Sequence, residues 1–225
     1  VVYTSPAAGK VSNVYRGLRR AVLAIEIEAS NFKDSVPFKP MDVDKSSAED
    51  VKNALVGSGL WPTLRRRPYD KVAETTDEPA GIIVMAHDSS PLAPDLTLVV
   101  EGRDADIDTG LTALAKLTKG KVHLCVKDGV KWGRFAEDGV LVHHLAGPHP
   151  AGTAGFAMHK LCSAGANRIV WHVGIQDVAD IGQLLRTGQR PTERVVAITG
   201  PSAKTPQLVR TRPGADLTQL CKDAS

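Results

Sequence analysis

Two segments of this 225-residue chain concentrate side chains able to do chemistry. The first is Trp61-Pro62-Thr63-Leu64-Arg65-Arg66-Arg67-Pro68-Tyr69, followed by Asp70 and Lys71. Aromatic residues make up 4% of the chain, so Trp61 and Tyr69 flanking three consecutive arginines is a local concentration. Planar guanidinium groups and aromatic rings together suit a flat, electron-rich ligand, held by hydrogen bonding and stacking. The plainer reading is an exposed loop whose Trp packs inward, and composition alone favours it. The second segment is Gly147-Pro148-His149-Pro150-Ala151-Gly152-Thr153-Ala154-Gly155. It lies between a predicted strand and a predicted helix, where α/β proteins place ligand-contacting turns. Its ligand-turn candidates are Gly147, His149, Pro150 and Gly152. They read equally as a backbone cradle at a helix N-terminus or as a stiff turn in which Pro fixes φ and Gly permits tight packing.

Three other constellations fail on spacing. Gly57-Ser58-Gly59 begins like a dinucleotide loop, but Pro62 stands at the third glycine position and a helix, not a strand, precedes it. Gly200-Pro201-Ser202-Ala203-Lys204-Thr205 mimics a phosphate loop, yet it is too short, lacks the glycine before Lys and runs into another strand. His143, His144, His149, His159 and Cys162 fall within twenty residues. Tetrahedral zinc needs converging ligands, and adjacent His143 and His144 on a strand point to opposite faces, so no metal site is expected.

The elements that must position these segments follow from periodicity. Lys10–Tyr15 and Ala21–Glu28 read as strands after a turn at Ser5–Gly9. Residues 31–44 read as a linker. Ser46 and Ser47, with Glu49 and Asp50 in the first turn, start a helix that reaches Val56 and ends at Gly57. Gly81–Ala86 is an apolar run typical of a strand buried on both faces, and Lys121–Val126 and Val140–Leu145 read as a second and a third strand. Leu111, Leu114, Ala115 and Leu117 share one face of a helix stopping at Gly120. Helices are also expected over Ala151–Leu161 and Ile175–Leu185. Strands alternating with helices predict a parallel α/β sheet. From Glu193 onward the pattern changes to strand, strand, helix, the opening of a second small unit.

Composition excludes several classes. Hydrophobic residues at 42% and charged residues at 24% are ordinary for a globular chain. A formal charge of +3 is too small for a nucleic-acid-binding face. Cys125, Cys162 and Cys221 are an odd, widely spaced set, expected to be reduced thiols. The longest stretch without Asp, Glu, Lys or Arg, Gly139–His159, holds four His, four Gly and two Pro, so no transmembrane segment is expected. Between Val72 and Ala115 there are nine acids and one base, Arg103, directly after the Arg65–Lys71 knot. Complementary solvated faces are the simpler account, and an anionic partner or lipid headgroup the functional one. The missing initiator Met and the β-type residues at Val1-Val2-Tyr3 give the expectation of a fragment.

Both segments, with their surroundings, resemble the A-subunit family of the Na+-translocating NADH:quinone reductase of bacterial respiratory membranes. The matching stretches are Ser5–Val11, Ser58–Trp61, Leu64–Val72, Gly147–Gly152, Val170–Val178, Thr192–Val196, Gly200-Pro201 and Pro206–Thr211. They occur in family order along the whole chain. The family is distantly similar to the C subunit of the Rnf complex and to the flavin-bearing subunit of respiratory complex I. The resemblance implies an α/β fold: a Rossmann-like parallel sheet flanked by part of a barrel-sandwich, lipoyl-like β unit and the start of an SLBB-type β-grasp domain. Residues 1–30 would be the partial β unit, 31–44 a linker, 45–191 the Rossmann-like domain and 192–225 the β-grasp opening. The family's proteins extend beyond both ends of the chain.

The same resemblance implies a function: a peripheral subunit on the cytoplasmic face of the bacterial inner membrane, contributing to ubiquinone reduction coupled to Na+ export. Trp61, Leu64, Arg65, Arg66, Arg67, Pro68, Tyr69 and Lys71 would form the quinone-proximal surface. The arginines would polarise a quinone carbonyl or steady its reduced anion, with Trp61 and Tyr69 packed on the ring. Flavin-binding relatives carry a glycine-rich loop where this chain has Trp61–Tyr69, and bulky residues there would block a flavin phosphate. No cofactor is therefore expected in this chain; FAD, FMN, riboflavin and iron–sulfur are expected in partner subunits. A flavin- and NADH-contacting subunit of the Rnf type and a purely structural assembly subunit remain alternatives.

Overall fold

The structure, a computed structural model, describes residues 2–222. Its first element is an antiparallel hairpin of β1 (Ala8–Arg16) and β2 (Val22–Asn31). The pairings Val11↔Ile27 and Val14↔Ile25 put valine and isoleucine on one face, while Lys10↔Glu28 and Asn13↔Glu26 occupy the other. A bulge between Val11 and Asn13 keeps the apolar set together across a break in alternation.

Ser47 starts α1 (Ala48–Ser58). Its hydroxyl accepts from the Asp50 amide, and the Asp50 carboxylate accepts from the Ser47 amide, a reciprocal cap. The helix runs past Gly57, its expected end, and stops at Gly59 with φ 74°. Next come β3 (Arg65–Arg67), β4 (Lys71–Val72) and β5 (Ile82–Ala86). A short α2 (Leu96–Val99) and a long α3 (Asp104–Lys116) follow, then β6 (Val122–Lys127) and β7 (Val140–Leu145). The order closes with α4 (Ala154–Leu161), β8 (Val170–Gly174), α5 (Ile175–Thr187), β9 (Arg194–Ile198), β10 (Gln207–Thr211) and α6 (Leu217–Leu220).

Six strands form one sheet in the order β4-β3-β8-β5-β6-β7. The four from β8 to β7 are parallel, and β3 and β4 are antiparallel. The expected parallel sheet is therefore mixed. The strands β3 and β4 are joined by a turn of only Pro68-Tyr69-Asp70, which permits antiparallel pairing alone. From β5 the chain steps outward to β6 and β7, then returns to the far side of β5 as β8. That reversal creates a crevice at the carboxyl ends of β5 and β8.

The two faces of this sheet are covered unequally. One carries α1, α3 and α5 over a core that includes Trp61, Leu64, Leu124, Trp171 and Ile181. The Trp61 and Trp171 rings meet edge-on at 5.5 Å between centroids. Helices α3 and α5 touch backbone to backbone: a Cβ on Gly182 would lie 1.7 Å from the Asp106 carbonyl oxygen, and one on Gly110 would lie 2.2 Å from that of Val178. Glycine is the only residue that fits such a crossing. The other face carries α4 over a smaller core of Ile83, Cys125, Leu145, Ala157, Met158, Cys162 and Val170.

The β9–β10 ribbon is tied to α5. The Gln176 side chain accepts from the Val195 amide at 2.7 Å and donates to its carbonyl at 3.2 Å. Arg194 pairs with Asp177 and with Asp180, which also accepts from Arg103 at 2.7 Å. Burial pushes the Asp180 carboxyl up, and Arg103 and Arg194 pull against that shift. Among the described residues, no helix is long and apolar enough to cross a membrane.

Candidate functional site

The arginine segment divides between core and edge. Trp61 opens a short 3-10 turn, Trp61–Thr63, and lies 1% exposed with its indole N–H donated to the Ala73 carbonyl at 2.7 Å. Leu64 is also fully buried. Both are expected on a quinone-proximal surface, and both are buried in the core. An indole this deep in the core keeps its apolar ring on Trp171 and its N–H on a carbonyl, so it has nothing left to offer a ligand. The ring that remains available is Tyr69, 71% exposed at the β3–β4 turn. Pro68 and Lys71 are exposed beside it.

Strand alternation then sorts the three arginines. Arg66 points to the α1 side and is held by Glu74 and by Asp77 at 3.2 Å. Here the basic knot does meet the acidic stretch that follows it. Arg65 and Arg67 point to the α4 side, and Arg65 lies directly across from His172 of β8. Both face Asp70, at 3.6 Å from Arg65 and 3.8 Å from Arg67, and Arg65 also donates to the Asp70 carbonyl. Asp70 shares a 2.9 Å hydrogen bond with His172 Nε2. That bond, with help from Arg65 and Arg67, lowers the Asp70 carboxyl below the ordinary aspartate value. One carboxylate thus serves two guanidinium groups, which leaves a cationic edge. The Arg67 guanidinium makes no hydrogen bond among the described residues.

The glycine-rich turn stands at the crevice between β5 and β8. A cleft of about 380 Å³ there is lined by His87, Asp88, Ser90, Gly152, Thr153 and Gly174 among others. Gly152 is buried. Its amide donates to Ser89 Oγ at 2.9 Å, and a Cβ on it would lie 2.5 Å from the Ser89 nitrogen. His149 Nδ1 contacts the same hydroxyl at 3.1 Å. Gly147, His149 and Pro150 are exposed. Thr153 caps α4 by accepting from the Phe156 amide. The structure brings the two predicted segments together at one point: the Arg67 guanidinium lies 3.7 Å from where a Cβ of Gly155 would stand, in the first turn of α4.

Residues that sequence reasoning does not assign complete this edge. His172 falls within a matching stretch without a role of its own, and nothing in the periodicity predicts β8 as a strand. Asp70 stands out only as part of the charged knot. His123 Nδ1 and His143 Nε2 meet at 3.0 Å with stacked rings on the same sheet face. Burial lowers both histidines below the ordinary value of 6.5, and His143 adds to the effect on His123. Among the described residues, no group of three or more His, Cys, Asp or Glu is arranged to hold a metal ion. Burial pushes the Cys125 thiol up to about 12.

Comparison with known proteins places this architecture. Residues 46–190 match the family model described as the NqrA second alpha/beta domain, and residues 195–224 match the NQRA C-terminal domain. The chain belongs to the NqrA family. It is 43% identical over 222 residues to the A subunit of the Na(+)-translocating NADH-quinone reductase of Hahella chejuensis, covering 98% of this chain and 50% of that protein. Its counterpart of the same name from Shewanella amazonensis is 44% identical over 223 residues, covering 98% and 49%. That from Yersinia pestis is 39% identical over 223 residues, covering 98% and 50%. The chain spans about half the length of the curated relatives it matches. Among solved structures, a chain of an NAD+-reducing NiFe hydrogenase in the air-oxidised state shares the fold, with a TM-score of 0.52 and 13% identity over 81% of this chain and 42% of that one.

The segment Trp61–Tyr69, expected to replace a glycine-rich loop, is a 3-10 turn followed by the antiparallel strand β3. The loop at the β5 carboxyl end, His87–Asp95, contains no glycine.

Proposed function

We propose that this chain acts as part of the A subunit of a Na+-translocating NADH:ubiquinone oxidoreductase, contributing to ubiquinone reduction coupled to Na+ export. The observation that carries the subunit role is identity of 39–44% with subunits of that name along nearly the whole chain. In this reading the chain comprises a partial barrel-sandwich unit over 1–30, a Rossmann-like domain over 45–191 and the opening of an SLBB-type β-grasp domain over 192–225. It sits at the cytoplasmic face of the bacterial inner membrane, attached through partner subunits, and turns over only within the assembled translocase.

The cationic edge supports the quinone role. Arg67, with free N–H groups, and Arg65, partly committed to Asp70, would donate to a quinone carbonyl and hold the negative charge that reduction places on it. Tyr69 would lie against the ring. Arg66, held by Glu74 and Asp77, anchors the strand from the other side.

The chain is proposed to carry no redox cofactor of its own; FAD, FMN, riboflavin and iron–sulfur belong to partner subunits. The β5–β8 cleft supports this. Its β5 loop has no glycine, Asp88 lines it, and the Gly152 amide is spent on Ser89, so a flavin phosphate would meet a carboxylate beside the α5 N-terminus, whose cap Gly174 carries no side-chain bond. The cleft's position is also the one feature favouring a flavin-contacting subunit of the Rnf type. In the assembled complex, R65A/R67A should weaken inhibition by quinone analogues about tenfold or more. Unchanged inhibition with a retained complex would leave these arginines as docking residues of a structural subunit.

A further inference from the structure

A second cationic site lies where three parts of the chain meet: the end of the hairpin, the loop after α5 and strand β10. A cavity of about 280 Å³ is lined there by Lys33, Gln176, Gln189, Arg190, Thr192 and Arg210 among others. Arg190 is its unusual member. Its Nε is buried and has no hydrogen-bond partner. Buried guanidinium N–H groups are almost always paired, because leaving one unpaired costs its full desolvation.

The carboxylates inside the fold do not serve it. Asp180, the acid whose charge Arg190 feels, is paired elsewhere, with Oδ1 on Arg103 at 2.7 Å and Oδ2 on Arg194 at 3.1 Å. No carboxylate lies within ion-pair distance of Arg190 or Arg210 among the described residues. Burial lowers the Arg190 proton affinity below the ordinary arginine value, so its environment already disfavours an uncompensated charge. Arg212 is not available as a ligand group. It donates to the Pro6 and Phe32 carbonyls and to Thr192 Oγ1, and so joins the hairpin end to the loop before β9. The cavity's walls are therefore braced while Arg190 is left unpaired. Arg190 also borders two neighbouring clefts.

We propose that this cavity binds a small hydroxylated metabolite bearing a single phosphate or carboxylate group, held by Arg190 with Arg210 and Lys33. Guanidinium groups match both oxyanions in the same planar, charge-assisted geometry. Asp34, Glu101 and Glu193 line the same cavity and limit the class. They oppose a polyanion such as a nucleotide triphosphate, and they accept hydrogen bonds from hydroxyls. The volume is below that of a typical cofactor site, which also argues for a compact ligand.

The test is calorimetric titration of the chain at constant ionic strength with three probes: inorganic phosphate, glycerol 3-phosphate and acetate. Saturable binding of at least one probe is expected, and the phosphate and acetate arms separate the two oxyanions. R190Q should weaken it about tenfold or more, as loss of a charge-assisted hydrogen bond does. Should R190Q fail to fold, R210Q on the exposed strand β10 carries the test and should weaken the same binding. Absence of saturable binding by all three probes would overturn the proposal, as would equal binding by the wild-type chain and both variants.

Discussion

The two faces of the six-stranded sheet are made from the same strands and built for different purposes. On the α3/α5 side, glycines bring helix backbones into contact, two tryptophans meet edge-on and buried aspartates are matched to arginines. On the α4 side, one eight-residue helix covers part of the sheet. The remainder of that side presents Arg65, Arg67, His172, His123 and His143 at its margins. Close packing fixes shape and leaves few groups unspent, the Trp171 indole N–H being one that has no hydrogen-bond partner. The thinly covered face keeps charge, ring nitrogens and an exposed tyrosine available. Function is therefore sought where the packing is incomplete, and stability where it is complete.

The sharpest way to break this comparison is a matched pair of glycine substitutions. G182A drives a methyl into the Asp106 carbonyl, at a contact between helix backbones that cannot yield locally. It should cost about 3 kcal/mol or more in denaturant unfolding. G155A, in the first turn of α4 with only the Arg67 side chain nearby, should be neutral or stabilise by up to about 1 kcal/mol. Equal costs would mean the faces are not differently packed.

The aromatic residues of the arginine segment give the next contrast. W61A removes a buried ring and orphans the Ala73 carbonyl, and should cost about 3–5 kcal/mol. Y69A should change stability by about 0.5 kcal/mol at most, because the ring is mostly exposed. Thermal unfolding of both variants checks this.

A smaller effect sharpens the comparison through pH. His123 and His143 bind protons less readily when folded than the ordinary value of 6.5 implies. From 6.5 down to their folded values, the unfolded chain holds more protons, so stability should rise as pH is raised through this window. H123Q/H143Q should flatten that rise below about pH 6.5, leaving the contribution of His87, which burial also lowers. An unchanged slope would mean the open face does not desolvate these rings.

Legibility in the sequence follows the same division. The apolar runs at β5 and β6 and the spaced leucines of α3 are readable because burial on that scale leaves a periodic trace. The cap at Ser47 is readable because it is a local bond between near neighbours. Strand β3 is not, since three arginines carry no β signal and pair because β8 and β4 offer them edges. Strand β8 itself, Val-Trp-His-Val-Gly, is short and runs without a break into α5, so no turn marks its end. The inward turn of Trp61 is available as the plainer reading of that segment. The pairing of Asp70 with His172 is not, because it joins residues 102 positions apart.

The most direct test of the central claim, that the open face holds the quinone-binding edge, is calorimetric titration of the chain with a short-chain ubiquinone, with FMN in parallel. The account predicts saturable ubiquinone binding, lost in R65A/R67A with stability unchanged to within about 1 kcal/mol, and no binding of FMN. Stoichiometric FMN binding, or ubiquinone binding equal in wild type and R65A/R67A, would contradict it.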